Sequence, residues 1–168
     1  MEVPIILVKG KQAFKKSMGS MRLLGNAANL VKKLSEEYAL FHIVDMDALN
    51  GNKSNFDLYD NLTYFTHVQV ECKPDEKLIG ALLAMEARVV VDLPSKLDFE
   101  KFGKKKSLLV GKVKPGFAEP FPPIREILLD GKDDELAKRI LSEDKRLFVL
   151  KEHYPKGFRR AFGVLFEL

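Results

Sequence analysis

Residues 75–92 read DEKLIGALLAMEARVVVD, and the fold turns on how they are read. Over the first twelve, Leu78, Ile79, Leu82 and Leu83 recur at helical spacing, with Pro74 just ahead of them. The spacing predicts a helix over 75–86. The next five residues, Arg88–Asp92, hold an unbroken Val run, which predicts a strand buried on both faces. A strand buried on both faces needs helices above and below it.

The same alternation extends in both directions. Toward the N-terminus, strands are predicted at Ile5–Val8, Leu40–Asp45 and Thr66–Val70. A helix over 26–38 is capped by Asn26, with Ala27, Leu30, Val31, Leu34 and Tyr38 on one face, and a weaker helix covers 55–64. Toward the C-terminus, strands are predicted at Leu108–Val113, Ile124–Asp130, Leu147–Leu150 and Phe162–Phe166. A short helix is expected over 97–102 and a longer one over 133–145, with Leu136, Ala137, Ile140 and Leu141 inward. Eight strands with helices between most of them mean a mainly parallel sheet, either open or closed into a barrel. The count favours the barrel, although such barrels typically need about 250 residues and this chain has 168.

The shortfall can be located. Between the fifth and sixth strands lies KPGFAEPFPP (114–123), too rich in proline for a helix. Between the seventh and eighth lies HYPKGFRR (153–160), too short for one, and the sequence given ends just after the eighth strand. The expectation is one domain over 1–168, a reduced (βα)₈ barrel with several helices of its second half missing or vestigial. Bare sheet there would call for a second copy of the chain, so a homodimer is expected. The alternative is local cover by Phe117, Phe121, Phe158 and Phe162.

Composition narrows the classes further. The chain is 46% apolar and 31% charged, which is globular. Its longest run without a charged residue, Asn61–Val70, is far short of the roughly 20 residues of a membrane span. The start, MEVPIILVKGK, does not read as a signal peptide, and the single Cys72 allows no internal disulfide, so the cytoplasm is the expected compartment. Only Gln12 and Gln69 and no Trp occur beside abundant Lys and Glu, a balance found in thermophiles. The net charge of +4 permits anionic ligands without demanding nucleic acid.

At the second strand the chain reads HIVDMDALNGNKSN (42–55), the pattern V-D-x-D-A-x-x-G-x-x-x-N. This resembles the second-strand signature of the histidine-biosynthesis barrels, the family of phosphoribosyl aminoimidazole carboxamide isomerase and the cyclase subunit of imidazole glycerol phosphate synthase. VPIILVKGK (3–11) is similar to the family's first strand, and Ala13–Arg22, with Gly19 and Arg22, to its first loop. VQVECKP, ARVVVDLP and REILLDG fit in place rather than in motif, so the resemblance is that of a divergent, archaeal-type member. It implies a (βα)₈ barrel with two catalytic aspartates, at the ends of strands one and five, and phosphate-binding turns rich in glycine. The chain departs from this at each point. Leu7 stands at the first aspartate position and Gly111 near the second. Glu71-Cys72-Lys73 and Lys151-Glu152-His153-Tyr154 replace the glycine turns. Neither Leu7 nor Gly111 transfers a proton, so the family's isomerase and cyclase reactions are not expected.

Function in such barrels sits at the C-terminal strand ends, and here those ends alternate acid and base. Three readings stay open. In the first, the ring is only a set of ion pairs meeting water. In the second, it binds a small phosphorylated metabolite through Lys9, Lys73, Lys112, Lys151 and His153. In the third, it holds new acid–base chemistry on Asp45, Asp47 and Glu71, as in a sugar-phosphate isomerase or lyase. Asp45 and Asp47, two apart on a strand, would face one side and with Asp92 or Glu71 could hold Mg²⁺. No other cofactor is expected, and a non-catalytic assembly subunit is the remaining alternative.

Other features carry less. His42 lies at the parity opposite to Asp45 and reads as structural. Cys72 beside Lys73 could have a lowered pKa. The lysines between Lys96 and Lys114 read as a solvated face, with no RNA-binding motif beside them. No metal-ligand spacing and no phosphate-binding glycine loop occurs.

Overall fold

Short polar side chains open most of the helices. In the computed structural model, which describes residues 1–168, α1 (Ala27–Leu34) is capped by Asn26 and α2 (Met46–Leu49) by Asp45. Helix α3 (Phe56–Leu62) follows Asn55 without a capping bond, while α4 (Glu76–Ala84) and α5 (Asp134–Ser142) are capped by Asp75 and Asp133. In each capped helix a side-chain oxygen accepts a first-turn backbone N–H that would otherwise lack a partner. A 3₁₀ segment, Phe99–Leu108, is broken at Gly103, whose φ is 54°.

Eight parallel strands form a closed ring: β1 (Glu2–Lys9), β4 (Leu40–Asp45), β5 (His67–Glu71), β6 (Arg88–Asp92), β7 (Leu109–Val113), β8 (Glu126–Leu129), β9 (Arg146–Leu150) and β10 (Gly163–Glu167). β1 pairs with β4 on one side and with β10 on the other, which completes the barrel. Helices or the 3₁₀ segment lie between most successive strands of the ring, an arrangement consistent with a TIM-type barrel. Residues 114–125 and 151–162 connect their strands through turns. Phe117, Phe121 and Phe158 from those connections pack on the outer core. Phe117 stacks on Phe121 at 5.4 Å, and the Arg139 guanidinium stands 4.5 Å from the Phe121 ring centre. Local aromatic residues therefore cover sheet that the sequence leaves looking bare. Phe162 instead packs against the barrel interior.

The remaining two strands were not expected. β2 (Gln12–Ser17) and β3 (Ser20–Asn26) form an antiparallel hairpin where the sequence reading has a loop. Gly10 and Lys11 join β1 to β2, and Met18 and Gly19 join β2 to β3. All four have positive φ, as two-residue hairpin turns require. Glu2–Ile5 pair with β10, but Leu7–Lys9 pair with β2. The hairpin thus takes the edge of β1 that β10 has left, and stands at the C-terminal rim of the barrel.

Alternation sorts the side chains into two cores. Val89, Val91, Ile127, Leu129, Leu147 and Val149 point outward to the helices. Val3, Leu40, Val90, Val110, Leu128, Phe148 and Leu165 fill the barrel. Continuing each inward row toward the strand starts reaches Arg88, Glu126 and Arg146, which form an ion cluster below the apolar layer. Continuing it toward the strand ends reaches Glu71, Asp92, Lys112 and Asp130.

Filling so narrow a barrel leaves one position with no room for a side chain. Gly163 pairs in register with Phe148, and a Cβ at Gly163 would lie 2.6 Å from the Phe148 ring. Gly163→Ala is expected to destabilise the protein by about 1–3 kcal/mol through overpacking, read as a lower urea midpoint with an unchanged m-value.

Candidate functional site at the barrel mouth

The motif residues Asp45, Asp47 and Asn55 meet, but on the outer side of the strands. The Asn55 amide nitrogen donates to Asp45 Oδ1 at 2.9 Å and to Asp47 Oδ2 at 2.8 Å, while its oxygen accepts the Lys11 N–H at 2.8 Å. Asp45 is completely buried. Its Oδ1 also accepts the N–H groups of Asp47 and Ala48, and its Oδ2 accepts the Tyr59 hydroxyl at 2.8 Å. Asp47 accepts the Gly10 N–H at 2.8 Å, and that bond with the one from Asn55 holds its carboxyl below the usual range. Asp47 belongs to α2 rather than to the strand, so it is the Asn55 amide, not strand parity, that brings the two carboxylates together. Together these bonds tie the turn after β1 to the loop after β4.

On the inner side, the mouth holds a cavity of ≈ 660 Å³. Leu7, Val44, Leu128, Leu150 and Leu165 make its apolar walls, and Lys15, Lys16 and Met21 of the hairpin line its rim. A polar chain crosses the cavity wall. The Gln69 amide nitrogen meets His42 Nδ1 at 2.9 Å, His42 Nε2 meets Glu71 Oε1 at 2.9 Å, and Lys112 Nζ donates to Glu71 Oε2 at 2.8 Å. Asp92 Oδ1 lies 3.4 Å from the same ammonium. An ionised carboxylate only accepts, so the bond between His42 and Glu71 is donated by Nε2. Gln69 Oε1 is buried without a partner.

These contacts fix the charge states. Burial would raise the Glu71 carboxyl, but His42 and Lys112 outweigh it and lower it from 4.5 to about 2. Burial would lower the Lys112 ammonium, but Glu71 outweighs that and raises it. At neutral pH the floor of the cavity is therefore a carboxylate–ammonium pair. Both His42 nitrogens already hold partners, Gln69 and Glu71.

The residues picked from the sequence separate on this geometry. Glu71 and Lys112 meet in the cavity. Lys151 reaches the rim, but its ammonium turns to Glu2 at 3.1 Å and stands over the Phe166 ring. His153 pairs with Glu152 at 3.0 Å and does not line the cavity. Lys9 and Lys73 are exposed and lie outside its lining, and Asp45 and Asp47 face away from it. His42 lines the cavity wall. Cys72 is buried, and burial with the nearby Asp45, Asp75 and Glu71 pushes its thiol up to about 12, the reverse of activation. Leu7 faces the cavity, whereas a side chain at Gly111 would run outward into Leu93 and Ile124. The cavity-facing group on that strand is Lys112. Three of the lysines beyond Lys96 are paired on the surface, Lys101 with Glu76, Lys105 with Glu86 and Lys106 with Glu100. No group of three or more His, Cys, Asp or Glu side chains is placed to hold a metal ion.

Lys15, Lys16, His42, Gln69 and Asp130 were not among the residues picked. The signal for the two lysines was the Gly10–Lys11 and Met18–Gly19 pair of turn sites, six residues of strand apart. Compared with protein-family models and with curated proteins, the chain matches none.

Two outcomes follow from the site's wiring. Tyr59→Phe leaves Asp45 Oδ2 buried and unpartnered and is expected to cost about 1–3 kcal/mol of stability, measured by chemical denaturation. Glu71→Gln strips the half-buried Lys112 of its closest anion and is expected to cost about 3 kcal/mol at pH 7. Because the Glu71 pKa is depressed on folding, its contribution is complete above pH 4.5 and lost as pH falls toward about 2. The stability gap between wild type and Glu71→Gln should therefore narrow below pH 4.5.

Proposed function

We propose that this chain is a divergent relative of the histidine-biosynthesis barrels that binds a small phosphorylated metabolite in the barrel mouth and does not carry out that family's reactions. The observation that carries the reading is the cavity itself. It is large enough for a sugar phosphate and apolar along its walls. Cations stand on two sides, Lys112 on the floor and Lys15 and Lys16 on the hairpin above. Lys112 uses its donors toward Glu71 and Asp92, and an ammonium has three. One N–H is left for a ligand oxygen.

The acid–base alternative finds less support. Ring opening or closing needs a group that can take a proton and another that can give one. Glu71 is held ionised by two partners, Lys112 is held protonated, and Asp45 has its oxygens filled by helix N–H groups, Asn55 and Tyr59. The binding role therefore stands without turnover.

The test is a thermal-shift panel of inorganic phosphate, pentose 5-phosphates and ribonucleotides on the wild type and on a Lys15→Ala/Lys16→Ala double variant. A ligand at 100 times its Kd stabilises by about 2.7 kcal/mol, which for this size raises Tm by roughly 5–10 °C. The expected result is such a rise for at least one phosphate ester, with no consumption of it, and a loss of the rise in the double variant. A flat panel overturns the reading, and turnover overturns the non-catalytic part of it.

A further inference from the structure

Charges that already hold a partner do little to select a ligand, so pairing identifies the groups that remain. Among the charged residues lining the cavity, Lys112 is bound to Glu71, Lys16 lies 3.9 Å from Glu167, Lys151 is bound to Glu2 and Glu152 to His153. Two charges are left over, the Lys15 ammonium and the Asp130 carboxylate, neither of which has an ion-pair or side-chain hydrogen-bond partner.

They stand apart. Lys15 belongs to the hairpin that continues from β1, while Asp130 follows β8, three strands away around a ring of eight. The Asp130 N–H donates to the Val113 carbonyl at 2.8 Å, which fixes its backbone at the strand end and leaves the carboxylate facing the cavity. Lys15 sits directly across from Arg22 in the antiparallel pair. Like charges at opposed positions repel, and an anion beside them relieves that repulsion. Between the two unpaired charges the cavity wall carries Leu7, Leu165, Leu150 and Leu128, and the charges there, Lys151, Glu152 and Glu167, already face other partners.

We infer that the ligand is dipolar: an organic phosphate that also carries an amino group, its phosphate at the Lys15 side and its ammonium at Asp130. The inference rests on the anion-binding reading of the same cavity and adds the second charge to it. The nearest cation to Asp130, Lys112, is already bound to Glu71 and Asp92, so a phosphate without an amine sets a second anion against the Asp130 carboxylate, and that costs binding.

The discriminating measurement is isothermal titration with O-phosphoethanolamine and with propyl phosphate, which replaces the ammonium by a methyl group of similar size. Wild type, Asp130→Asn and Lys15→Ala are compared, and circular dichroism confirms that each is folded. Asp130 has no side-chain bond to lose, so its amide variant keeps the fold. The expected result is that wild type binds O-phosphoethanolamine about tenfold more tightly, that Asp130→Asn brings the two probes level, and that Lys15→Ala weakens both by a similar factor. Equal wild-type affinity for the two probes, with both weakened by Lys15→Ala, overturns the amine inference and leaves the anion site standing. Binding of neither probe overturns both.

Discussion

β1 has to satisfy three strands, and the rest of the molecule is arranged around that requirement. Its first half gives one edge to β10, its second half gives the same edge to β2, and its other edge belongs to β4. Closure of the barrel removes every free edge in the ring. β10 pairs with Glu2–Ile5 and β2 with Leu7–Lys9, and that division of β1 sets Lys15 and Lys16 over the mouth. The Asn55 amide secures the turn between β1 and β2 by accepting the Lys11 N–H and holding Asp47 against Gly10.

That tie gives the V-D-x-D-A-x-x-G-x-x-x-N pattern a physical meaning separate from any reaction. Asp45 caps α2, Asn55 bridges the two aspartates, and the Gly51 φ of 87° lets the loop turn between them. A carboxylate buried this completely persists because its oxygens accept N–H and O–H donors from several directions. Burial and Asp45 in turn raise the Tyr59 hydroxyl well above its ordinary pKa, so it remains a donor. The signature thus holds loop geometry at the rim, and the ligand chemistry falls to other residues.

The barrel interior is layered by charge. Arg88, Glu126 and Arg146 close the N-terminal end, where Arg146 stands over the Phe162 ring at 4.6 Å. Apolar residues fill the middle, and the His42–Glu71–Lys112 chain lies above them. Burying ions is costly unless they are paired; in the lower layer Glu126 is set between Arg88 and Arg146, and in the upper one Lys112 is set between Glu71 and Asp92. The difference between them lies in access. Arg146 of the lower cluster meets solvent at the strand starts, whereas the upper cluster opens on a cavity.

The order of elements was legible in the sequence because strand and helix differ in period. The Val run at 89–91 and the 3.6-residue spacing from Leu78 to Leu83 needed no tertiary information, and the count of eight strands favoured a barrel over an open sheet without deciding it. The hairpin escaped notice because its strands, QAFKKS and SMRLLGN, are mostly solvent-facing and lack a clean apolar alternation, and its turns include Lys11 and Met18 rather than glycine pairs. At the site, period alone groups Arg88 with Val90 and Asp92, or Asp45 with Ile43, but does not say which group faces the barrel axis. Only closure decides that, and it turned Asp45 outward and His42 inward. The bonds that make the site join residues 29 and 41 apart in the chain. The sequence by itself determined the alternation, the Asn26 cap and the charged strand ends. The tertiary structure decided which of those charges neutralise one another and which are left facing the cavity, because pairing depends on neighbours around the ring rather than neighbours along the chain.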